Sequence, residues 1–369
     1  MKLDLVDPYA PEVLSIWREL EARTPPPYFL SSGWIETWLA CLPREHAPPL
    51  AVIRDGADVV AACFLARQLV VRHRVLPSRS LYVNVTGVRR LDELTIEYNG
   101  LVGRQLTLAE LVGVLPGGWD ELYLPALHVD AFAGIRGPHA RLRVKLEREV
   151  PAYYVDLERA RKQGYLALLS GQTRSQVRRA QREAGACTVE VARDLPHAID
   201  IYAELGELHT AQWRAKGKPG AFADPWFDRF HRRLITDRFA HGEIQLLRVR
   251  GTAGTIGCLY NHVHHGRVLQ YQSGMATFAN AHLKPGFVCH AAGIEHAAAA
   301  GLAVYDFLGG DMRYKKSLST DVSSLVWARV QRRRVRFAVE DRLRQWRVQR
   351  AAAAATPAGP AGPDQPSSV

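Results

Sequence analysis

The feature that most constrains this chain is that it repeats itself. Residues 34–42 read WIETWLACL and residues 226–234 read WFDRFHRRL. Both place an aromatic residue first and fifth and Leu ninth, the spacing of one apolar helix face. Ser31–Ser32 precede the first segment and Asp224–Pro225 the second, and both pairs are helix-start signals. Each predicted helix is followed by two β-rich arms around a glycine turn. The first pair of arms is LAVIRDGADVVAACFLA, turning at Asp55–Gly56, and the second is IQLLRVRGTAGTIGCLYNHV, turning near Gly251. Trp34 and Trp226 lie 192 residues apart, and Gly56 and Gly251 lie 195 apart. Two elements in the same order at nearly the same offset predict a duplicated domain. The 369 residues suffice for two such units, and a 47% hydrophobic content suffices for their cores.

The halves then diverge. The first continues through SLYVNVTG and LDELTIEYNGLV, whose EYNGLV is expected to be a strand, to the strand GWDELYLPAL. The second runs through a third strand, RVLQYQSGM, a loop, ATFANAHLKPG, a long helix, FVCHAAGIEHAAAAG, and a last strand, LAVYDFLGG. This order predicts an α/β fold with mixed sheets. Lys284–Pro285–Gly286 opens the long helix, where unpaired N–H groups can hold an anion, and Gly301 ends it. The expected division is a first half over 1–150 and a second half, with the donor and catalytic site, over 151–336. A basic terminal helix over 337–350 and a disordered Ala/Pro/Gly tail over 351–369 follow.

The net charge of +11 is concentrated. Arg329, Arg332, Arg333, Arg334, Arg336, Arg342, Arg344, Arg347 and Arg350 face only Glu340 and Asp341 in the same stretch. Arg174, Arg178, Arg179 and Arg182 form a second cluster. Such fields attract anionic lipid, phosphorylated ligands or nucleic acid, or are simply solvated faces. No apolar run approaches the ~18 residues of a membrane span, and the N-terminus is acidic where a signal peptide needs an apolar core. The expected location is cytoplasmic, or peripheral on the inner membrane face. The five cysteines form no CxxC pair, which fits free thiols in a reducing compartment and gives no zinc site.

Four stretches together resemble a known family: SSGWIETW, the EYNGLV segment, LLSGQTRSQVRRAQR, and LKPGFVCHAAGIEHAAAAGLAVYDFLGGDMRYKKSL. The chain is similar to the GNAT-type acyltransferases of the BioF2-like/CelD-like group, relatives of the Fem peptidoglycan aminoacyltransferases. The resemblance covers nearly everything but the tail and extends to bacterial ceramide synthases. It implies a tandem duplicated GNAT (acyl-CoA N-acyltransferase) fold. The thioester would lie in a splay between parallel strands, here Leu269–Gly274 and Val304–Leu308, with the pantetheine and pyrophosphate near Ala281–Val288. One departure stands out. The family's Arg/Gln-x-x-Gly-x-Gly/Ala phosphate loop is replaced by Asn280-Ala281-His282-Leu283-Lys284-Pro285-Gly286. The donor is therefore open between acyl-CoA, acyl carrier protein and aminoacyl-tRNA.

Acyl transfer to an amine needs a neutral amine, a donor to the carbonyl oxygen and a proton or charge for the leaving thiolate. Asp311, Tyr314 and Lys315 follow the last strand, where crevices open at the carboxyl ends of parallel strands. Asp311 could hold or deprotonate the ammonium, Tyr314 could protonate the thiolate, and Lys315 could stabilise negative charge. The alternative is a polar loop in which Asp311 pairs with Lys315. Tyr271 and Gln272 flank the expected thioester, but neighbours on a strand face opposite ways, so only one can point inward. Backbone amides near Ser273 and Gly274 could bind the carbonyl, and Lys284, Gly286 and Phe287 the donor phosphates. Glu97 and Asn99 are expected to share one strand face towards the acceptor, with His209 lining the same pocket. Arg174 and Arg178 lie one helical turn apart on a basic ridge suited to a phosphate-bearing substrate. His262, His264 and His265 stand without a carboxylate or Cys at metal-binding spacing, and His262 is a candidate accessory base.

The leading expectation is an N-acyltransferase using acyl-CoA as co-substrate, with a long-chain sphingoid-type amine as acceptor and a ceramide-like amide lipid as product. The alternatives are a Fem-like aminoacyl-tRNA-dependent transferase in cell-wall or exopolysaccharide synthesis, and a non-catalytic binding protein. Direct nucleic-acid recognition is disfavoured by the lack of an aromatic stacking set.

Overall fold

The structure is a computed structural model, and it describes residues 1–72, 76–94, 96–137 and 139–354. The first part of the chain contains β1 (Lys2–Val6), α1 (Glu12–Arg23), α2 (Ser32–Cys41), β2 (Leu50–Asp55), β3 (Asp58–Arg72) and β4 (Leu76–Val83). It continues with β5 (Val102–Gly103), α3 (Leu108–Val114), β6 (Glu121–His128) and α4 (Val129–Ile135). Next come β7 (Leu142–Asp156), α5 (Leu157–Gln163), α6 (Tyr165–Leu168), α7 (Gly171–Ala184), β8 (Thr188–Val191), α8 (Leu195–Arg214) and α9 (Pro225–Arg238). The chain closes with β9 (Ile244–Gly251), β10 (Gly254–His264), β11 (Arg267–Met275), α10 (Pro285–Ala299), β12 (Val304–Gly309), α11 (Arg313–Leu318), β13 (Asp321–Arg332) and α12 (Val335–Ala354).

The echoed segments are α2 and α9. Ser31 caps the first by accepting the Trp34 N–H, and Asp224 caps the second by accepting the Trp226 N–H. Their apolar faces are buried, and they meet: the Trp34 and Phe230 rings lie edge to face, 4.9 Å between centroids. One hydrophobic core therefore runs through both halves, from Trp17 and Trp38 to Tyr202 and Tyr260. The repeated stripe closes the molecule on itself.

The sheet shows the duplication plainly. Its order is β1-β2-β3-β4-β6-β13-β7-β12-β11-β10-β9-β8. Inwards from one end lie two antiparallel hairpin strands, a third strand, a parallel step (β4 to β6) and an antiparallel strand. The other end, from β8, reads alike, with its parallel step from β11 to β12. The innermost strands are exchanged. β7, which follows the first half in sequence, pairs with β12, and β13, from the end of the second half, pairs with β6. The division expected between residues 150 and 151 falls inside β7. Residues 355–369 of the expected tail lie outside the described residues, while residues 351–354 are the last turn of α12.

One expected strand, EYNGLV, is reduced to its last residue, Val102, which opens β5. Between Ile96 and Leu101 the chain makes only an isolated bridge, Asn99 to Leu127, and Tyr98 adopts a left-handed φ of 54°. Side-chain amides take the place of a ladder: Asn84 Nδ2 donates to Asn99 Oδ1 at 2.8 Å, and Asn99 Nδ2 donates to the Val83 carbonyl at 2.9 Å. Asn residues satisfy local backbone groups in this way and so compete with sheet formation.

Candidate active site

The parallel pairing of β11 and β12 lasts for three residue pairs and stops at Leu269 and Asp306. Two irregularities part the strands there. In β11, Gln270 pairs with Asn261 and Gln272 with Tyr260, which leaves Tyr271 as an extra, unpaired residue. In β12, Leu308 turns left-handed with φ 61°, and the register against β7 jumps between Asp306 and Gly309. Bulges of this kind bend a strand and re-aim its side chains. A cavity of about 980 Å³ opens in the gap. Tyr271, Gln272 and Ser273 all line it, so the expectation that only one of Tyr271 and Gln272 faces inward is overturned by the bulge. Gly286 and His290 of α10, Tyr314 and Lys315 of α11, and His209 and Trp213 of α8 complete much of the wall.

Glu97 from the first half reaches this cavity. Only 4% exposed, it accepts the Gly309 N–H on Oε2 at 2.6 Å, where β12 leaves β11. Burial pushes its carboxyl up to about 7, against the Gly309 hydrogen bond and the attraction of Lys315. Lys315, 5% exposed, donates to the Gly309 carbonyl at 2.8 Å and to the Leu308 carbonyl at 3.3 Å. Burial lowers its pKa, while Glu97 and Asp306 oppose the shift. A buried acid and a buried base of opposite charge thus face the cavity around one bulged glycine. Perturbed pairs of this kind concentrate at functional sites.

Tyr314 stacks on His290, 5.1 Å between centroids with the planes 10° apart. Burial pushes the Tyr314 hydroxyl up to about 12 and pulls His290 down to about 3, the latter aided by Lys315. Tyr314 is therefore a protonated donor at neutral pH, and His290 is neutral. Sequence reasoning missed His290. It sits in the alanine-rich helix α10, and only the packing of α11 shows where it points. His209 is pulled down to about 4 by burial and by Lys216.

The remaining expected residues lie elsewhere or are already engaged. Asp311 is exposed and accepts a long 3.4 Å hydrogen bond from the Tyr153 hydroxyl, outside the cavity. Tyr271 donates its hydroxyl to the Leu94 carbonyl, so its proton is committed. Asn99 is not on the face of Glu97: it lines a separate cavity, because no strand alternation orders this segment. Gly274 serves packing, since a Cβ there would lie 2.4 Å from the Leu205 carbonyl oxygen of α8. Lys284 and Phe287 are outside the cavity wall, and Lys284 donates to Gln176 Oε1 on α7 and lies over the Phe287 ring. Arg174 and Arg178 are on α7, also outside the wall. His262 is wholly buried, stacked on Tyr28 and pulled down to about 3 by burial, a core residue between the halves.

The duplicated sheet with two parallel steps, one splayed over a lined cavity, defines a tandem GNAT fold. Residues 171–316 match the acetyltransferase (GNAT) domain family, an acyltransferase-type domain. Among solved structures, the crystal structure of FemX is similar with a TM-score of 0.54 at 12% identity, over 88% of this chain and 97% of that one. The C-terminal domain (DUF2156) of a putative lysylphosphatidylglycerol synthetase from Agrobacterium fabrum scores 0.49 at 13% identity, over 86% and 91%. A tandem GNAT protein from the clavulanic acid biosynthesis pathway scores 0.44 at 14% identity, over 89% and 98%. No curated protein matches the sequence.

Proposed function

We propose that the chain is an N-acyltransferase whose activated acyl donor enters the splay between β11 and β12 and whose amine acceptor meets Glu97. The observation that carries this reading is Glu97 itself. It is a buried carboxyl held near 7 beside the bulged Gly309, with the Lys315 ammonium on the same glycine. A base titrating near neutrality is suited to take a proton from an ammonium group, and such catalysis typically contributes ~10²–10⁴-fold. In the proposed reaction the acceptor nitrogen, relieved of its proton by Glu97, attacks the acyl carbon. Lys315 supports the negative charge on the carbonyl oxygen. The C–N bond forms and the C–S bond breaks, and Tyr314 gives its proton to the departing thiolate. The attacking nitrogen releases its remaining extra proton to solvent as the intermediate collapses, and the proton held by Glu97 returns through solvent to the Tyr314 phenolate.

For a thioester, acyl-CoA is the donor favoured here, with an acyl carrier protein as a variant of the same chemistry. Phe227, Met275, Phe278, Leu283 and Met312 line part of the cavity and suit an apolar acceptor such as a sphingoid-type long-chain amine. Purified protein with palmitoyl-CoA and a sphingoid base should release free CoA and form the amide. No release with any long-chain amine would sink this acceptor class. A Fem-like, aminoacyl-tRNA-dependent reaction is the second reading, favoured by Lys216 and Lys218 at the cavity and by the absent glycine-rich phosphate loop. Sensitivity of the activity to ribonuclease selects it. Asp311, Arg174 and Arg178 are assigned no step in either reading.

A further inference from the structure

The C-terminal helix α12 is two-faced in an unusual way. Phe337, Glu340 and Asp341 point inward. Phe337 is 5% exposed, Glu340 accepts from Arg72 Nη1 at 3.2 Å, and Asp341 takes Arg143 and, at 3.4 Å, Lys145. At 100° per residue, Val335, Val339, Arg342, Trp346 and Arg350 fall within an arc of about 80° on the opposite side. On that arc Val335 is 83% exposed, Val339 45% and Trp346 50%. Arg342 and Arg350 are also exposed, and the Arg350 guanidinium lies 4.1 Å from the Trp346 ring centroid. Both acids of the helix are thus used in docking it, and the described side chains on this arc are apolar or cationic. Beside the start of α12, Arg141, Arg332, Arg333 and Arg334 line a concavity of about 650 Å³. Arg334 in its wall lies 3.7 Å from Asp120.

We propose that this face is a docking surface for an anionic lipid bilayer. α12 lies in the plane of the interface, and the arginine-lined concavity receives phosphate headgroups. The charge is complementary, and the apolar residues decide the kind of partner. Valines and an amphipathic Trp gain by entering the acyl boundary and gain nothing against a phosphodiester backbone. The surface is independent of the acyl-transfer cavity, so its failure would leave the proposed reaction untouched.

The test is flotation of the full chain with phosphatidylcholine vesicles, with and without about 30 mol% phosphatidylglycerol. The expected result is flotation with the anionic vesicles alone, weakened by high salt. V339E, W346A and the pair R333A/R342A should each lower partitioning by about tenfold or more with an unchanged melting temperature. These positions are exposed, so loss of folding does not confound the reading. Failure to float, equal flotation with neutral vesicles, or undiminished binding by V339E and W346A overturns the proposal. So does vesicle-independent binding of RNA that W346A leaves intact.

Discussion

At the scale of single residues, Glu97 sets the most direct tests. If it is the base, E97Q keeps an acceptor for the Gly309 N–H but cannot take a proton, and kcat/KM should fall by about a hundredfold or more. In the pH profile of the wild-type chain, activity should rise through the Glu97 value of about 7. That limb disappears in E97Q, while any limb set by the acceptor amine remains. A second consequence concerns folding. Burial raises the carboxyl from its ordinary 4.5 to about 7, so between those values the folded chain holds a proton that the unfolded chain has released. Its contribution is full below about 4.5 and is lost as pH rises through about 7, by up to about 3 kcal/mol. Denaturant midpoints of wild type and E97Q across that window should therefore diverge with rising pH, to the disadvantage of the wild type. Glu97 and Lys315 could each be picked out in the sequence as ionisable residues beside predicted strands. That both meet Gly309 could not, because 218 positions separate them along the chain.

At the scale of elements, the periodic segments were readable and the irregular ones were not. The helices α2, α7, α9 and α10 and the strands β9 to β12 follow from apolar spacing, caps and turn glycines. The extra residue at Tyr271 and the left-handed Leu308 leave no mark in the period, yet they open the cavity. Likewise, EYNGLV has the composition of a strand, and only the Asn84–Asn99 pairing shows why no more than its last residue joins one. Gly274 gives a test at this scale. Replacement by Ala places a methyl 2.4 Å from the Leu205 carbonyl oxygen, and backbone on both sides must move. G274A should cost about 1–3 kcal/mol in chemical denaturation and loosen α8, the helix that brings His209 to the cavity.

At the scale of the whole molecule, the exchanged strands make the halves interdependent. β13 lies between β6 and β7, and β7 lies between β13 and β12. Residues 1–150 expressed alone would leave β6 without β13 and expose Leu122 and Leu124, buried in the complete chain. Such a fragment should aggregate or fail to show dispersed amide resonances, and a chain stopped before Asp321 should do the same. An independently folded 1–150 fragment would contradict the interlock. Among the described residues no helix is long and apolar enough to cross a membrane.

By itself the sequence determined the duplication, the α/β alternation and the helical character of the arginine-rich end. Each depends on local spacing of apolar side chains and on capping, which act within a few residues. Only the tertiary structure decided where the two copies exchange strands, which carboxyl enters the second copy's cavity and which face of α12 is left outward. Those outcomes depend on burial and register between segments far apart in the chain. The same Glu is an ordinary surface acid or a neutral-range base according to what packs around it.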